Sequence, residues 1–411
     1  MGKMDLWNGF ACHSIDLLNE NGLLCYIAPN NWGTNKGAEK MRKKIIEETK
    51  ILQLIDFSTY MVFGDSASIQ TMIMLVRKDN RQETYSFDYR KLNSSNASKS
   101  DAMQILTCNL KEADYFTPQI NKTYSQGTLL TFSNDEKDVI LYKIQENAQY
   151  LIKEDLAQGI VFPQDFLNKK GQEVLGFGNV GDGIFGLSNS ELNGLNLTSK
   201  EKVLIKPYFT TEQVHRYYTE KECSQWMIYT NSTFKEANSL DSYPHIKSHL
   251  DKYRCIFTSD NAPYGLHRAR NPYYFEGEKI LCVRKCPIRP IFSYADGSNY
   301  VTQTFFVIKT ERFNLKYLTG LLNSKLIEFW LRNKGKMQGD NYQIDKEPLM
   351  QIPIKTKDSE ERRIIKLVET ILNKKEASIE ADTSEEEATI DNFVYQIYGI
   401  NPYEIKIIEN K

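Results

Sequence analysis

The stretch Leu23-Leu24-Cys25-Tyr26-Ile27-Ala28-Pro29, followed by Asn30-Asn31-Trp32, decides the fold. It reads as a sheet strand whose carboxyl end is marked by a proline and two asparagines. Residues 4–18 before it read as a helix, with Trp7, Phe10, Ala11, Ser14, Leu17 and Leu18 on one face and Asn21-Gly22 closing it. A helix over residues 38–48 follows, then strands over 51–57 and 69–77. Helices and strands that alternate in this way belong to an open α/β sheet. No earlier strand or Gly-rich turn is present to start one, so the chain is expected to open inside a domain.

Beyond residue 78 the pattern loosens. Residues 79–100 are polar and carry one strand around 85–89, and residues 110–127 hold few patterned apolar positions. Ile140, Leu141, Ile144, Ala148 and Leu151 then mark a helix. Short strands rich in aromatics follow, with helices predicted over 243–252 and 315–333. The second of these buries Leu318, Leu321, Leu322, Leu326, Phe329 and Trp330 along one stripe. After Pro353 comes a helix carrying Ile364, Leu367, Val368, Ile371 and Leu372. An acidic break at Ser384-Glu385-Glu386-Glu387 precedes two short helices over 390–398 and 402–408. No internal repeat is found.

A chain of 411 residues can bury two or three cores. No run nears the ~20 apolar residues of a membrane span, and Asp5, His13 and Asp16 interrupt any signal-like N-terminus. Seven scattered cysteines read as reduced thiols of a cytoplasmic protein. The net charge is −1, yet residues 268–336 hold thirteen Lys/Arg against five Asp/Glu, and residues 357–411 hold eight against thirteen. A basic segment in a neutral chain is the footprint of a surface laid on phosphates, or else an unevenly charged solvated face.

Two sets of strings carry a family resemblance. Residues 2–7 (GKMDLW), 17–32 (LLNENGLLCYIAPNNW) and 55–76 (IDFSTYMVFGDSASIQTMIMLV) resemble the second half of an N6-adenine DNA methyltransferase of the TaqI-like and type IIG kind. Further on, Gly181-Asp182-Gly183-Ile184-Phe185, Ile205-Lys206-Pro207-Tyr208-Phe209, Trp226-Met227-Ile228-Tyr229 and Phe275-Glu276-Gly277-Glu278-Lys279-Ile280 resemble the TaqI-like C-terminal specificity domain. So do residues 321–326 (LLNSKL) and 351–354 (QIPI), and residues 390–399 are typical of the tail of such proteins.

The resemblance implies an α/β fold: a partial Rossmann-like methyltransferase sheet (last strands only), then an α+β target-recognition domain and a helical tail. The expected boundaries are 1–110 for the catalytic-domain half, 111–155 for a connection, 156–355 for the specificity domain and 356–411 for the tail. An intact enzyme of this kind binds a duplex site, flips an adenine and transfers a methyl group from S-adenosylmethionine to N6, protecting host DNA in a restriction–modification system. This chain lacks the cofactor loop and the Asn-Pro-Pro-Tyr strand end in their expected context. It is therefore expected to bind no cofactor and to be inactive alone. The competing reading is a stand-alone DNA-binding specificity subunit serving a separate methyltransferase or nuclease. The expected partners are double-stranded DNA and a polypeptide supplying the missing half, or self-association through the unpaired edge of residues 24–28.

Several motifs have plainer readings. Gly176-Phe177-Gly178-Asn179-Val180-Gly181 matches G-x-G-x-x-G, but turn and strand follow it where a nucleotide loop needs a helix. Asn261-Ala262-Pro263-Tyr264 and Asn271-Pro272-Tyr273-Tyr274 echo the catalytic tetrapeptide from inside the specificity-domain match. His245 and His249 have helical metal spacing without the Glu of H-E-x-x-H, and a solvated or phosphate-facing pair is expected instead. Cys282 and Cys286 lack a second cysteine pair, so no metal site is expected.

The remaining candidates come from position. Phe63 falls where the family packs an aromatic on the extruded adenine; its plain alternative is a core Phe between strands. Asn30 and Asn31 are placed to line that target-base pocket at the carboxyl end of a strand. In the basic segment, His267, Arg268, Arg270, Arg284, Lys285, Lys334 and Lys336 are candidate phosphate or base contacts. Gln338, Asn341, Tyr342 and Gln343 are second-rank readers, with surface filler as the alternative for each.

Overall fold

The computed structural model describes residues 5–33, 35–64, 69–79, 84–93, 97–111, 113–121, 130, 132, 135–338 and 341–409. They form two compact units, one from residues 1–149, 329–355 and 398–411 and the other from residues 150–328 and 356–397.

The first unit is built on a five-stranded sheet. Helix α1 (Leu6–Leu17) leads into β1 (Leu23–Pro29), and helix α2 (Glu39–Glu48) into β2 (Thr49–Asp56). Strands β3 (Thr71–Lys78), β4 (Asp88–Leu92) and β5 (Ala113–Phe116) complete it. The order is β1-β3-β2-β4-β5. Strand β3 runs antiparallel to both neighbours, with Leu23 opposite Arg77 and Asp56 opposite Met72, while β4 is parallel to β2. Thus β1, β2 and β4 point the same way and their carboxyl ends share one edge. Ile45 and Met41 of α2 pack with Ile51 and Leu54 of β2 and Met74 and Val76 of β3, all at most 1% exposed.

Helix α1 departs from the sequence expectation. Asn8, Ala11 and Ile15 are its buried residues, whereas Phe10 and Leu17 are 64% and 72% exposed. The helix packs on α2 and β1 through the side that carries Asn8, Ala11 and Ile15. Trp7 packs against the same core, whereas Leu6, Phe10 and Leu17 are exposed.

The second unit holds two sheets. One has three strands in the order Ile205–Tyr208, Gln225–Ile228, Gly186–Ser188, all antiparallel. In the other, Lys279–Val283 lies between Phe292–Ala295 and Phe305–Ile308, antiparallel to both. Every residue of those three strands is buried. Helix Leu315–Leu322 packs on helix Asp358–Ala377 at Gly320, where a Cβ would lie 2.6 Å from Ile364 Cγ2.

The helix predicted over 315–333 is two helices, Leu315–Leu322 and Lys325–Lys334. The break is chemical. The Asn323 side chain accepts from Phe292 N and donates to Phe292 O, and Ser324 Oγ donates to Leu321 O, so side chains replace helical bonds there. The predicted acidic break at 384–387 is instead the first turn of helix Ser384–Tyr398. Three glutamates there favour the positive end of the helix dipole.

Candidate nucleic-acid interface

Asn30 opens the 3₁₀ turn Asn30–Gly33 directly after β1. Its amide Nδ2 donates to Asp56 Oδ1 at 3.0 Å, and its backbone N–H donates to Gln70 O. Asp56 ends β2 and also accepts from Ser58 N at 2.8 Å and from the Tyr89 hydroxyl at 3.1 Å. Burial, with Asp56 beside it, pushes the Tyr89 hydroxyl well above its ordinary pKa, so it remains a donor. The turn is held from below. Arg42, 1% exposed, donates to Trp32 O and Asn35 O, and the Trp32 indole donates to Met72 Sδ. Trp32 is thus packing, 1% exposed. Asn31 is half-buried, and its carbonyl accepts from Asn35 N.

Phe63 lies in the segment after β2 and is 49% exposed, which differs from a core Phe wedged between strands. The rest of its motif, Asp65, Ser66 and Ala67, lies outside the described residues. The bond from Nδ2 to Asp56 fixes the orientation of the Asn30 amide. Asp56 and Tyr89 escaped the sequence reading. The available signal was an acid at the end of the apolar run Ile51-Leu52-Gln53-Leu54-Ile55.

The basic candidates divide between the two units. In the second, His267 and Arg268 follow a tightly bonded turn. Asn261 Nδ2 donates to Leu266 O, Thr230 Oγ1 to Tyr264 O, and Arg268 exchanges backbone bonds with Val161. Arg268 is exposed and His267 half-buried. Arg270 has a positive φ of 65°, and its guanidinium donates to Gly159 O and Gln158 Oε1. Arg284 donates to Gln303 O and lies over the Phe306 ring, while Lys285 is exposed.

In the first unit, strands Lys336–Gln338 and Asn341–Gln343 form a hairpin. Lys334 is half-buried, and Lys336 Nζ lies 3.5 Å from Asp345, which also accepts from Gln343 Nε2. Asn341 is exposed, and Gln338 is described only by its backbone. Tyr342 corrects the sequence reading. Its ring is 1% exposed and its hydroxyl accepts two bonds from Arg332, so it has no face to offer a base.

The charge excess of residues 268–336 is also smaller in effect than the count suggests. Arg289 pairs with Glu328, Arg312 with Asp155 and Lys316 with Glu369. Lys279 is fully buried, donating to Gly277 O, Gly297 O and Asn299 Oδ1, and burial lowers its pKa to about 7. These cations bond within the unit, although Arg312 also stays exposed.

The two histidines are likewise structural. His245 bonds Glu201, a fully buried carboxylate. Burial works to raise the Glu201 pKa, but bonds from Thr198 and His245 overcome it and hold the group at about 2. His249 is buried and bonds Ile184 O, so neither a metal nor a phosphate role remains open to it. Among the described residues no group of three His, Cys, Asp or Glu could hold a metal ion, and no helix is long and apolar enough to cross a membrane. Tyr264 of the Asn-Ala-Pro-Tyr string is fully buried with its hydroxyl on Asp251, which removes its likeness to a base-stacking ring. The Gly176–Gly181 string caps a short helix and is followed by turn, as its plain reading expects.

Comparison with known proteins gives the geometry a context. Residues 1–63 match the Eco57I restriction-modification methylase family, and residues 192–354 match the TaqI-like C-terminal specificity domain. The type II methyltransferase M.HincII of Haemophilus influenzae is 23% identical over 384 residues, covering 90% of this chain and 71% of that protein. M.HindII of Haemophilus influenzae is 24% identical over 392 residues, covering 90% and 72%. Among solved structures, the type IIL restriction-modification enzyme MmeI, in complex with DNA, aligns with a TM-score of 0.59 at 12% identity. That alignment covers 98% of this chain and 51% of the MmeI chain and is a likeness of fold. The chain thus spans about seven tenths of the curated relatives and about half of MmeI. It is similar in sequence to type II methyltransferases and, over residues 192–354, to the TaqI-like C-terminal specificity domain.

Proposed function

We propose that this chain is the DNA-recognising portion of an adenine-N6 DNA methyltransferase of a restriction-modification system. The observation that carries the reading is the order of the two family matches, methylase over residues 1–63 and specificity domain over 192–354. In this reading β1, β3 and β2 are the last strands of a Rossmann-like methyltransferase sheet. The edge at the carboxyl ends of β1 and β2, with Asn30, Asn31 and Phe63, lines the pocket for the extruded adenine. Asp56 orients the Asn30 amide so that its carbonyl can accept from the adenine amino group. Arg268, with His267 and Lys285, meets the duplex from the second unit. Lys334, Lys336, Asn341 and Gln343 are the first unit's own candidate DNA contacts.

S-adenosylmethionine belongs to the intact enzyme. Within this chain the described residues supply no Gly-rich turn between a strand and a helix to hold it. The reading therefore assigns the donor site to a polypeptide that adds strands beside β1. Supporting this, Leu23 and Ile27 of β1 are 58% and 42% exposed, and one edge of β1 pairs with no described strand.

The test is reconstitution. The chain is mixed with the portion of M.HincII that it does not span, and a DNA library is assayed for N6-methyladenine with labelled S-adenosylmethionine. Methyl transfer is expected only with both polypeptides. A soluble complex that forms, binds DNA and transfers nothing would defeat the methyltransferase half of the reading.

A further inference from the structure

A cleft of about 550 Å³ in the second unit has no role in the reading above. It lies between the face of the three-stranded sheet and the segment carrying helices Asn189–Gly194 and Ser199–Lys202. Trp226 stands on the central strand, paired across to Pro207 and Leu187. Its indole N–H donates to Asn189 Oδ1 at 2.7 Å, which fixes the ring. Ile205, Leu192 and Leu197 supply the other apolar walls. Protein interiors close over such side chains at crystal density, and a helix seated on a sheet normally fills this space. Here the ring is left half-exposed beside an open cleft.

The surrounding segment is built to stay in place. Two capping boxes, Ser188 with Glu191 and Thr198 with Glu201, close the two helices. Glu201 in turn bonds His245 and its backbone N–H. Asn196 has a left-handed backbone, with φ of 50°, and its amide donates to Gly194 O. The polar groups at the rim are Asn193 and Lys202, both exposed.

A fixed indole face, apolar walls, amides at the edge and a lysine at the mouth fit one chemical class. We infer that the Trp226 cleft receives an unstacked nucleobase, with the base against the indole, its polar edge toward Asn193 and Asn196, and its phosphate toward Lys202. Aromatic stacking suits any base, amides can bond base edges, and a lysine needs only a phosphate within reach. A cleft of this volume is within the range of small-ligand sites. The proposal rests on the DNA-binding reading for the source of the base. The same chemistry would also hold a free mononucleotide.

The experiment separates those sources. The full chain is titrated with 5′-dAMP, with a paired duplex and with the same duplex carrying one unpaired nucleotide, following tryptophan emission and anisotropy of labelled DNA. The cleft is expected to favour the bulged duplex over the paired one by about tenfold, the order of one base–aromatic stack. Emission should be quenched by dAMP, and the quench should vanish in Trp226→Phe. Leu192→Trp, which fills the cleft, should abolish the preference while leaving the thermal melt and paired-duplex binding unchanged. Equal binding of bulged and paired duplexes, with emission unmoved by dAMP, would overturn the cleft and leave the DNA-binding reading intact. Quenching by dAMP without binding of either duplex would keep the cleft as a mononucleotide site and defeat the DNA-binding reading.

Discussion

Two apolar strands of this chain meet opposite fates. Lys279–Val283 has a strand hydrogen-bonded on each side, and all five residues are buried. Leu23–Pro29 is also apolar but pairs, among the described strands, only with β3, and its burial alternates, with Leu23, Cys25 and Ile27 exposed. The difference lies in their neighbours, because a strand is buried by what flanks and covers it. The second unit provides those neighbours itself: two strands, the helix Leu315–Leu322 and a set of internal ion pairs. The first unit leaves an apolar edge and the outer face of α1 without a described partner. An open apolar edge invites pairing with another chain.

The largest effect expected from this contrast is on stability. Leu281 is fully buried in the middle of its sheet, so Leu281→Ala should cost about 3 kcal/mol by denaturant unfolding. Leu23→Ala, at 58% exposure, should stay within about 0.5 kcal/mol for the isolated chain. Comparable losses at the two positions would break the contrast, since they would mean that β1 is covered in solution.

Next in size is an effect on reactivity. Cys25 is exposed on β1, whereas Cys282 and Cys286 are buried and burial pushes both thiols up, Cys286 to about 11. A maleimide should modify Cys25, Cys108 and Cys255 in the native chain and reach Cys282 and Cys286 only after unfolding. If a polypeptide adds a strand beside β1, Cys25 should become severalfold slower while Cys108 and Cys255 keep their rates. Peptide mass mapping reads each site separately. A docked partner that leaves Cys25 as reactive as before would place the docking surface elsewhere.

The same contrast explains what was legible in the sequence. Elements whose pattern is local were readable: strands β1 to β3, the helix Pro402–Ile408, and the apolar stripe of residues 318–330. The stripe crosses the helix break at Asn323 without disturbance because both helices present it inward, so periodicity alone could not reveal the break. Misreadings arose where a distant group completes the chemistry. Phe10 and Leu17 look like core residues on a helical wheel, yet the wheel does not say which face meets a neighbour. Tyr342 and His249 look like exposed recognition groups until Arg332 and Ile184 are found against them. Asp56 became a site residue only when β1 and β2 placed Asn30 within 3.0 Å of it. Charge counts failed for the same reason, since Arg289, Arg312 and Lys316 are matched by acids far away in sequence.

That matching bears on the smallest effect. The self-sufficient unit uses many of its cations on itself, so only those turned outward should register as phosphate contacts. Arg268 is exposed, whereas Arg270, two residues on, gives its guanidinium to Gln158 and Gly159. Each phosphate neutralised contributes roughly 0.9 to the slope of log affinity against log salt. Arg268→Ala should therefore lower that slope by about one between 50 and 200 mM salt. Arg270→Ala should leave the slope unchanged and instead cost about 1 kcal/mol of stability, because it strips bonds from Gln158 and Gly159. Anisotropy titrations on labelled duplex and denaturant melts of the same two variants measure both quantities. A lowered slope in Arg270→Ala would show that its guanidinium leaves Gln158 for DNA, and that the second unit is less closed on itself than its internal bonds imply.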